Sequence, residues 1–368
     1  MVLIARFSSA GLVAIGASVA TGPGPGLSGM PAFTIRSVTA AIARIGTGSP
    51  SARALVLGDL MLDVVLAASR PIERGTDVPG RVEIRQGGSA ANTARWLARL
   101  GVKTQLVCAV GRDGAGRSLV QQLERDGVTV RATRVAGART GRIGVLVVPG
   151  GERSFVADRR AADRLSPDDL HTEWFDRVQL VHLPAYSLLG DPLGRAGARA
   201  IELARERDSL VSVDLASIGP LLADGRRAAR ELIAAARPDL LFATELEAEA
   251  LLGRHAVEGL LELALIVVIK RGNRGASVVA RGSVVAREGT HGADDDEPPL
   301  RFDIATPTVA ASDTTGAGDA FDAGFIAGWL AARATGRPAA DGLHRATLAG
   351  HRAAARQLSG PRIELPPG

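Results

Sequence analysis

The run Asp313-Thr314-Thr315-Gly316-Ala317-Gly318-Asp319-Ala320-Phe321 places small residues and a carboxylate at the head of an apolar stretch that reads as a helix from Ala317 to Trp329. The first amides of a helix have no partner within it, so Gly316, Ala317 and Gly318 predict a pocket of N–H groups for an anion such as a phosphate. Asp319 falls in the first turn, beside that pocket. A carboxylate there can take the proton of an alcohol while the amides hold the charge that develops on a transferring phosphoryl group. The plainer reading, an acid that only complements the helix dipole, has equal weight on this run alone.

A second cluster, Gly87-Gly88-Ser89-Ala90-Ala91-Asn92-Thr93-Ala94, opens another helix. Paired glycines let backbone approach a ligand closely. Asn92 offers two donors and an acceptor, which suits sugar hydroxyls, in a chain whose only other Asn is Asn273. A capped Gly-rich turn is the competing explanation. Gly111-Arg112-Asp113-Gly114-Ala115-Gly116-Arg117-Ser118 nearly spells a P-loop, but Arg117 stands where the loop needs Lys. A guanidinium does not replace that point charge between phosphates.

These clusters need elements to hold them. Apolar runs ending near Gly58, Val110, Leu183, Asp214, Phe242 and Ile269 read as buried strands. Helical stretches at 90–100, 117–126, 194–207, 226–236 and 245–252 alternate with them. Alternation of this kind predicts a mostly parallel α/β sheet with helices on both faces. Two patches, 65–86 and 128–157, show period-two texture broken by Gly and Pro and predict a small β lid.

The 368 residues suffice for a large core, 46% hydrophobic but only 3% aromatic, as parallel strands of Val, Leu, Ile and Ala require. The formal charge of +5 is carried almost wholly by scattered Arg, with Lys only at 103 and 270. A nucleic-acid binder would concentrate that charge in a stripe with aromatics between, so no nucleic-acid partner is implied. One cysteine, Cys108, excludes an internal disulfide and fits a reducing, cytoplasmic setting. Residues 1–50, with their Gly-Pro tract at 22–26, read as a disordered extension. They hold no apolar run of the ~18 residues a membrane span needs, so no membrane partner is expected.

At this point the chain resembles the PfkB, or ribokinase-like, carbohydrate kinases. Residues 87 through 111 fit the first signature of that family and 313 through 326 the second, and the likeness extends from about Ala54 to Leu358. The resemblance implies a ribokinase-like domain over 51–368 that transfers the γ-phosphate of ATP, with Mg²⁺, to a small-molecule hydroxyl. It implies that Asp319 is the base and Gly316, Ala317 and Gly318 the anion hole. Asp63, Gly88 and Asn92 fall at sugar-binding positions. Lys270, Gly272 and Gly275 fall in a nucleotide-phosphate loop, and Asp313 and Thr315 in a loop that holds a monovalent cation such as K⁺. Glu247 matches a residue associated with magnesium, although Thr244 stands where the family has Asn. The family also implies a homodimer made through the lid.

A pentose or hexose is the acceptor expected first, with a nucleoside or an acidic sugar such as 2-keto-3-deoxygluconate as alternatives. Arg153, Arg159 and Arg160, in or after the lid strands, are the residues that could meet an anionic acceptor. A sugar-binding regulator without catalysis is the rival from another class, and an intact Asp319 argues against it. A dinucleotide-dependent dehydrogenase shares the alternation but needs a strand-anchored Gly motif that the chain lacks.

Overall fold

The computed structural model describes residues 52–148, 153–253, 259–286, 298–309, 311 and 313–360. The expectation for residues 1–50 lies outside them.

The main sheet has nine strands in the order β13-β12-β11-β10-β9-β8-β1-β4-β5. They are β1 (Arg53–Leu57), β4 (Lys103–Gly111), β5 (Thr129–Val135), β8 (Leu180–Pro184), β9 (Leu210–Asp214), β10 (Leu240–Thr244), β11 (Ile266–Lys270), β12 (Ala276–Ala280) and β13 (Leu300–Ile304). All pairings from β5 to β11 are parallel, and β12 and β13 close one edge antiparallel. Side chains alternate between the two faces, so Val56, Leu106 and Cys108 join one buried cluster while Leu55, Leu57 and Val107 join the other.

Helices cover both faces. On one lie α1 (Ser89–Arg99), α2 (Gly114–Arg125), α6 (Ala317–Ala334) and α7 (Ala339–Ser359); on the other lie α3 (Leu193–Arg205), α4 (Gly225–Ala236) and α5 (Glu245–Leu252). This is the ribokinase-like architecture expected: a mostly parallel α/β sheet, helices on both sides and a separate small sheet. The α6–α7 contact is unusually close. A Cβ on Gly324 would lie 2.6 Å from the Ala349 carbonyl oxygen, and one on Gly350 would lie 2.9 Å from the Phe321 oxygen.

The small sheet runs β3-β2-β6-β7, from β2 (Met61–Ala68), β3 (Gly80–Gly87), β6 (Arg142–Val147) and β7 (Arg153–Asp158). The lid reading therefore needs one correction. Residues 129–135 belong to the main sheet, paired with β4 from Gln105↔Thr129 to Gly111↔Val135. An edge strand is covered by one neighbour only, and its half-exposed alternation imitates a lid strand.

The near-P-loop at 111–118 is a structural turn. Asp113 caps α2 by accepting the Gly116 N–H at 2.9 Å, and it also accepts the Thr140 hydroxyl at 2.6 Å. No helix among the described residues is long and apolar enough to cross a membrane.

Candidate active site

The chain runs from β1 to β4 on one side and resumes at β8 on the other. This reversal opens a crevice beyond the carboxyl ends of the strands, where open α/β sheets bind ligands. A cavity of about 820 Å³ lies there under the lid. Asp63, Gly88, Asn92, Glu247, Lys270, Thr315, Gly316, Gly318 and Asp319 all line it. Ala317 and Asp313 adjoin the lining residues in sequence, while Gly272 and Gly275 lie beyond it in the β11–β12 connection.

Gly316 opens α6 with φ 73°, a conformation costly for any residue with a Cβ. The turn before it is closed by the Ala317 N–H donating to the Thr314 carbonyl at 3.2 Å. The Ala317 N–H is thus engaged within the turn, and an anion pocket as expected from the sequence would rest on the remaining first-turn amides. Asp319 accepts the Ser89 hydroxyl at 2.7 Å and the Asn92 Nδ2 at 2.9 Å. Asn92, the expected sugar contact, lines the cavity and also fixes the carboxylate, and Ser89 joins it. Burial pushes the Asp319 carboxyl up to about 6, against the lowering effect of these two hydrogen bonds. It is thus ionised at neutral pH yet basic enough to accept a proton.

Asp63, on the second lid strand in the sheet order, faces the same space. Burial pushes its carboxyl up to about 7, with the charges of Asp59 and Asp319 adding to the effect. Its Oδ1 is buried with no hydrogen-bond partner within the protein. Buried polar atoms are normally paired, so this orphaned oxygen marks the carboxylate as one whose hydrogen bonding is left incomplete by the protein alone. The paired glycines make close packing possible here. A Cβ on Gly87 would fall inside the Asp63 carboxylate, and one on Gly88 would lie 2.5 Å from the Asp59 carbonyl oxygen.

Lys270, a cavity-lining residue, also makes contacts that its loop did not suggest. Its Nζ donates to Asp214 Oδ1 at 3.0 Å and to Asp322 Oδ2 at 2.9 Å, fully enclosed beneath the start of α6. A Cβ on Gly318 would lie 3.6 Å from that Nζ, so the ammonium sits next to the anion pocket. Glu247 is anchored from its own helix: Thr244 caps α5, and the Thr244 N–H donates to Glu247 Oε2 at 2.7 Å. Thr serves that cap as Asn would, which accounts for the substitution there.

The resemblance also placed a monovalent cation on Asp313 and Thr315, and the oxygens of that pair do not fit one. Asp313 Oδ2 accepts Arg85 Nη1 at 2.7 Å, and Oδ1 accepts the Thr315 N–H at 2.9 Å. Thr315 Oγ1 accepts Arg153 Nη1 at 2.6 Å, and the Thr315 carbonyl accepts Gln357 Nε2 at 2.9 Å. Each of these oxygens faces an N–H donor rather than open space.

Several site residues escaped the sequence reading. Asp59 accepts the Ala90 N–H at 3.1 Å and Arg159 Nη1 at 3.2 Å. Arg159 lies over the Tyr186 ring, 4.9 Å from its centroid. Gln357 also accepts Trp96 Nε1 at 3.0 Å, so it ties α1 to the turn before Gly316. These partners lie far apart in sequence with no motif around them. Only the apolar-to-polar change late in α7 hinted at Gln357. Arg160, by contrast, is an exposed partner of Asp158.

Comparison with known proteins agrees with this geometry. A profile described as "pfkB family carbohydrate kinase" matches residues 51–361. Fructokinase-1 of Zea mays is 32% identical over 246 residues, 64% of this chain and 71% of that protein. An ATP-dependent ribose-1-phosphate kinase of Halopiger xanaduensis is 31% identical over 285 residues, 76% of this chain and 85% of that protein. The ribokinase structure from Thermotoga maritima superposes with a TM-score of 0.63 at 23% identity, covering 84% of this chain and 96% of that one. The chain belongs to the pfkB family and is an ATP-dependent carbohydrate kinase.

Proposed function

We propose that this kinase phosphorylates a free sugar, a hexose such as fructose or else a pentose, with Asp319 as the base. The observation that carries the reading is the facing pair of carboxylates. Asp319 is locked by Ser89 and Asn92 at the head of α6, and Asp63 lines the same cavity with a carboxylate whose Oδ1 has no partner in the protein. Asp63 accepts hydroxyls of the sugar and orients it. Asp319 removes the proton from the attacking hydroxyl. The amides at the start of α6 bind the phosphoryl oxygens, and Lys270 adds positive charge from beneath.

Magnesium supplies charge neutralisation on the nucleotide phosphates when bound. Among the described residues no group of three or more ligating side chains forms a protein cage, and Glu247 offers one hard oxygen donor at the cavity wall. That suits an ion held mainly by phosphates and water, so Glu247 would hold it from one side. Gly272 and Gly275 shape the β11–β12 turn on the nucleotide side. A Cβ on Gly275 would strike Ile304, so this glycine is also needed for packing. A buried Cys108 and dependence on ATP fit a cytoplasmic enzyme.

A panel of free sugars, nucleosides, sugar phosphates and sugar acids, each assayed for ATP consumption, tests the acceptor. Turnover is expected with a ketohexose or pentose. Exclusive turnover of nucleosides would overturn this reading. One observation favours a second: Arg159, just after β7, lines the cavity, and its Nη2 is buried without a hydrogen-bond partner. An acceptor bearing a phosphate or carboxylate would pair it, and preference for sugar phosphates or acids in the panel would select that alternative.

The lid supports a homodimer. Strand register puts Val64, Leu66, Val82, Ile84, Leu146 and Val156 on the face opposite Asp63. Val82 is 68% and Val156 76% exposed, which leaves an apolar sheet face open to water. A second copy covers that face in our reading. Light scattering is expected to give twice the chain mass, and Val82→Glu with Val156→Glu to give the monomer. A parent chain that stays monomeric at micromolar concentration would refute the interface.

A further inference from the structure

We propose that Arg85 and Arg153 are positioning residues that take the electrostatic place of a monovalent cation on the loop at 313–315, so that the loop before the anion pocket is ordered by the lid rather than by an alkali-metal ion. The inference goes beyond the kinase reading but rests on it for its activity readout.

Arg85 comes from β3 and Arg153 from β7, the two outer strands of the lid. Arg85 Nη1 meets Asp313 Oδ2 at 2.7 Å, while its other nitrogens are held by Glu83. Arg153 Nη1 donates to Thr315 Oγ1 at 2.6 Å and lies 3.5 Å from Asp313 Oδ1, and Nη2 donates to Thr314 Oγ1. Both guanidinium groups are largely buried, with side chains 16% and 14% exposed. The two guanidinium groups offset the charges of Asp313 and Glu83, which leaves no excess negative charge for a cation to balance, and their donors occupy the oxygens that such an ion would need.

The consequence is mechanical as well as electrostatic. Thr315 precedes Gly316, and the Thr315 carbonyl is pinned from the other side by Gln357. The turn that orients the first amides of α6 is therefore clamped between the C-terminal helix and the lid. Lifting β3 and β7 removes the Arg85 and Arg153 contacts from 313–315 together. Closing the lid over a sugar restores them, so acceptor binding completes the anion pocket. This ties phosphoryl transfer to an occupied acceptor site and disfavours transfer to water.

The test compares potassium, sodium and choline chloride at constant ionic strength, reading both turnover and melting temperature. The parent enzyme is expected to be indifferent to the choice of cation in both. Arg153→Gln should lower kcat by about ten- to a hundredfold, the range for a lost charge-assisted hydrogen bond. The KM for ATP should change much less. Potassium, unlike choline, should recover part of the activity of Arg85→Gln/Arg153→Gln, because Asp313 and Thr315 are then open to it. Arg153→Lys keeps the charge without the fork and should fall between the parent and Arg153→Gln at an unchanged melting temperature, which separates positioning from a folding defect.

Potassium-specific stimulation or stabilisation of the parent overturns the proposal, as does an Arg153→Gln enzyme with parental kcat. If no acceptor supports turnover, the acceptor reading fails. The latch is then still decided by the potassium response of the parent's melting temperature.

Discussion

Replacing Asp319 by Asn is expected to lower kcat by at least ~10²-fold, the usual range for loss of a general base, with ATP binding little changed. The pH dependence is the stronger part of the expectation. With the Asp319 carboxyl raised to about 6, kcat of the parent should fall as pH drops through that value, and Asp319→Asn should lack the limb. Asp63, raised to about 7, should add a rise in the acceptor's KM below neutrality, since its anion accepts hydroxyl hydrogen bonds best. A folded-state pKa above the unfolded value means that the group's stabilising effect is full below ~3.9 and is lost as pH rises through 6. At pH 8 the ionised Asp319 is thus a strained group, and the Asn variant should melt no lower than the parent. Near-normal turnover, or a large drop in melting temperature, would remove Asp319 from the role of base.

Lys270→Met should act on the fold first. It leaves Asp214 and Asp322 enclosed with their shared counter-charge gone, and breaking a buried ionic group in this way destabilises by about 3–5 kcal/mol. The cause also fixes the pH dependence. Burial holds the Asp322 carboxyl well above the usual carboxylate range even with Lys270 beside it, so in the variant it should take up a proton readily. A raised folded-state pKa stabilises at low pH, and the deficit of Lys270→Met should therefore shrink from pH 8 toward pH 5. Adding Asp322→Asn should recover part of the loss. Urea unfolding of the three variants across that pH range checks the ordering. A Lys270→Met enzyme as stable as the parent at pH 8, but with weakened ATP binding, would show instead that the ammonium serves the nucleotide directly.

The central parallel strands were legible as continuous apolar runs and the helices between them from their spacing, while the antiparallel edge strands Ala276–Ala280 and Leu300–Ile304 were not read from the sequence. The two Gly-rich turns were legible because each must open a helix with little side-chain bulk. The place of Asp319 in the first turn was legible, while the role of base came only with the family resemblance. Thr129 to Val135 misled because edge exposure gives a parallel strand the same alternation as a lid strand. The surroundings of Lys270 were not legible: rarity in the chain marked it as special, but periodicity says nothing of which carboxylates close in around it. The grips on 313–315 by Arg85, Arg153 and Gln357 were hidden for the same reason. They join strand, lid and C-terminal helix across more than half the chain, in a sequence where Arg is too common to stand out.

The contact between α6 and α7 bears on how catalysis is organised in time. Where Gly324 meets the Ala349 carbonyl and Gly350 meets the Phe321 oxygen, backbone rests on backbone. The Phe321 ring also packs on Gly350, so the body of the helix that carries Asp319 is held firmly against α7. The dipoles at its first turn are oriented before the phosphoryl group comes, and little reorganisation energy is left to the chemical step. The lid is then the part expected to move. The slow events of the catalytic cycle are then expected to be lid opening and product departure, and solvent viscosity, rather than substitutions along α6 away from the site, should be what sets the turnover rate.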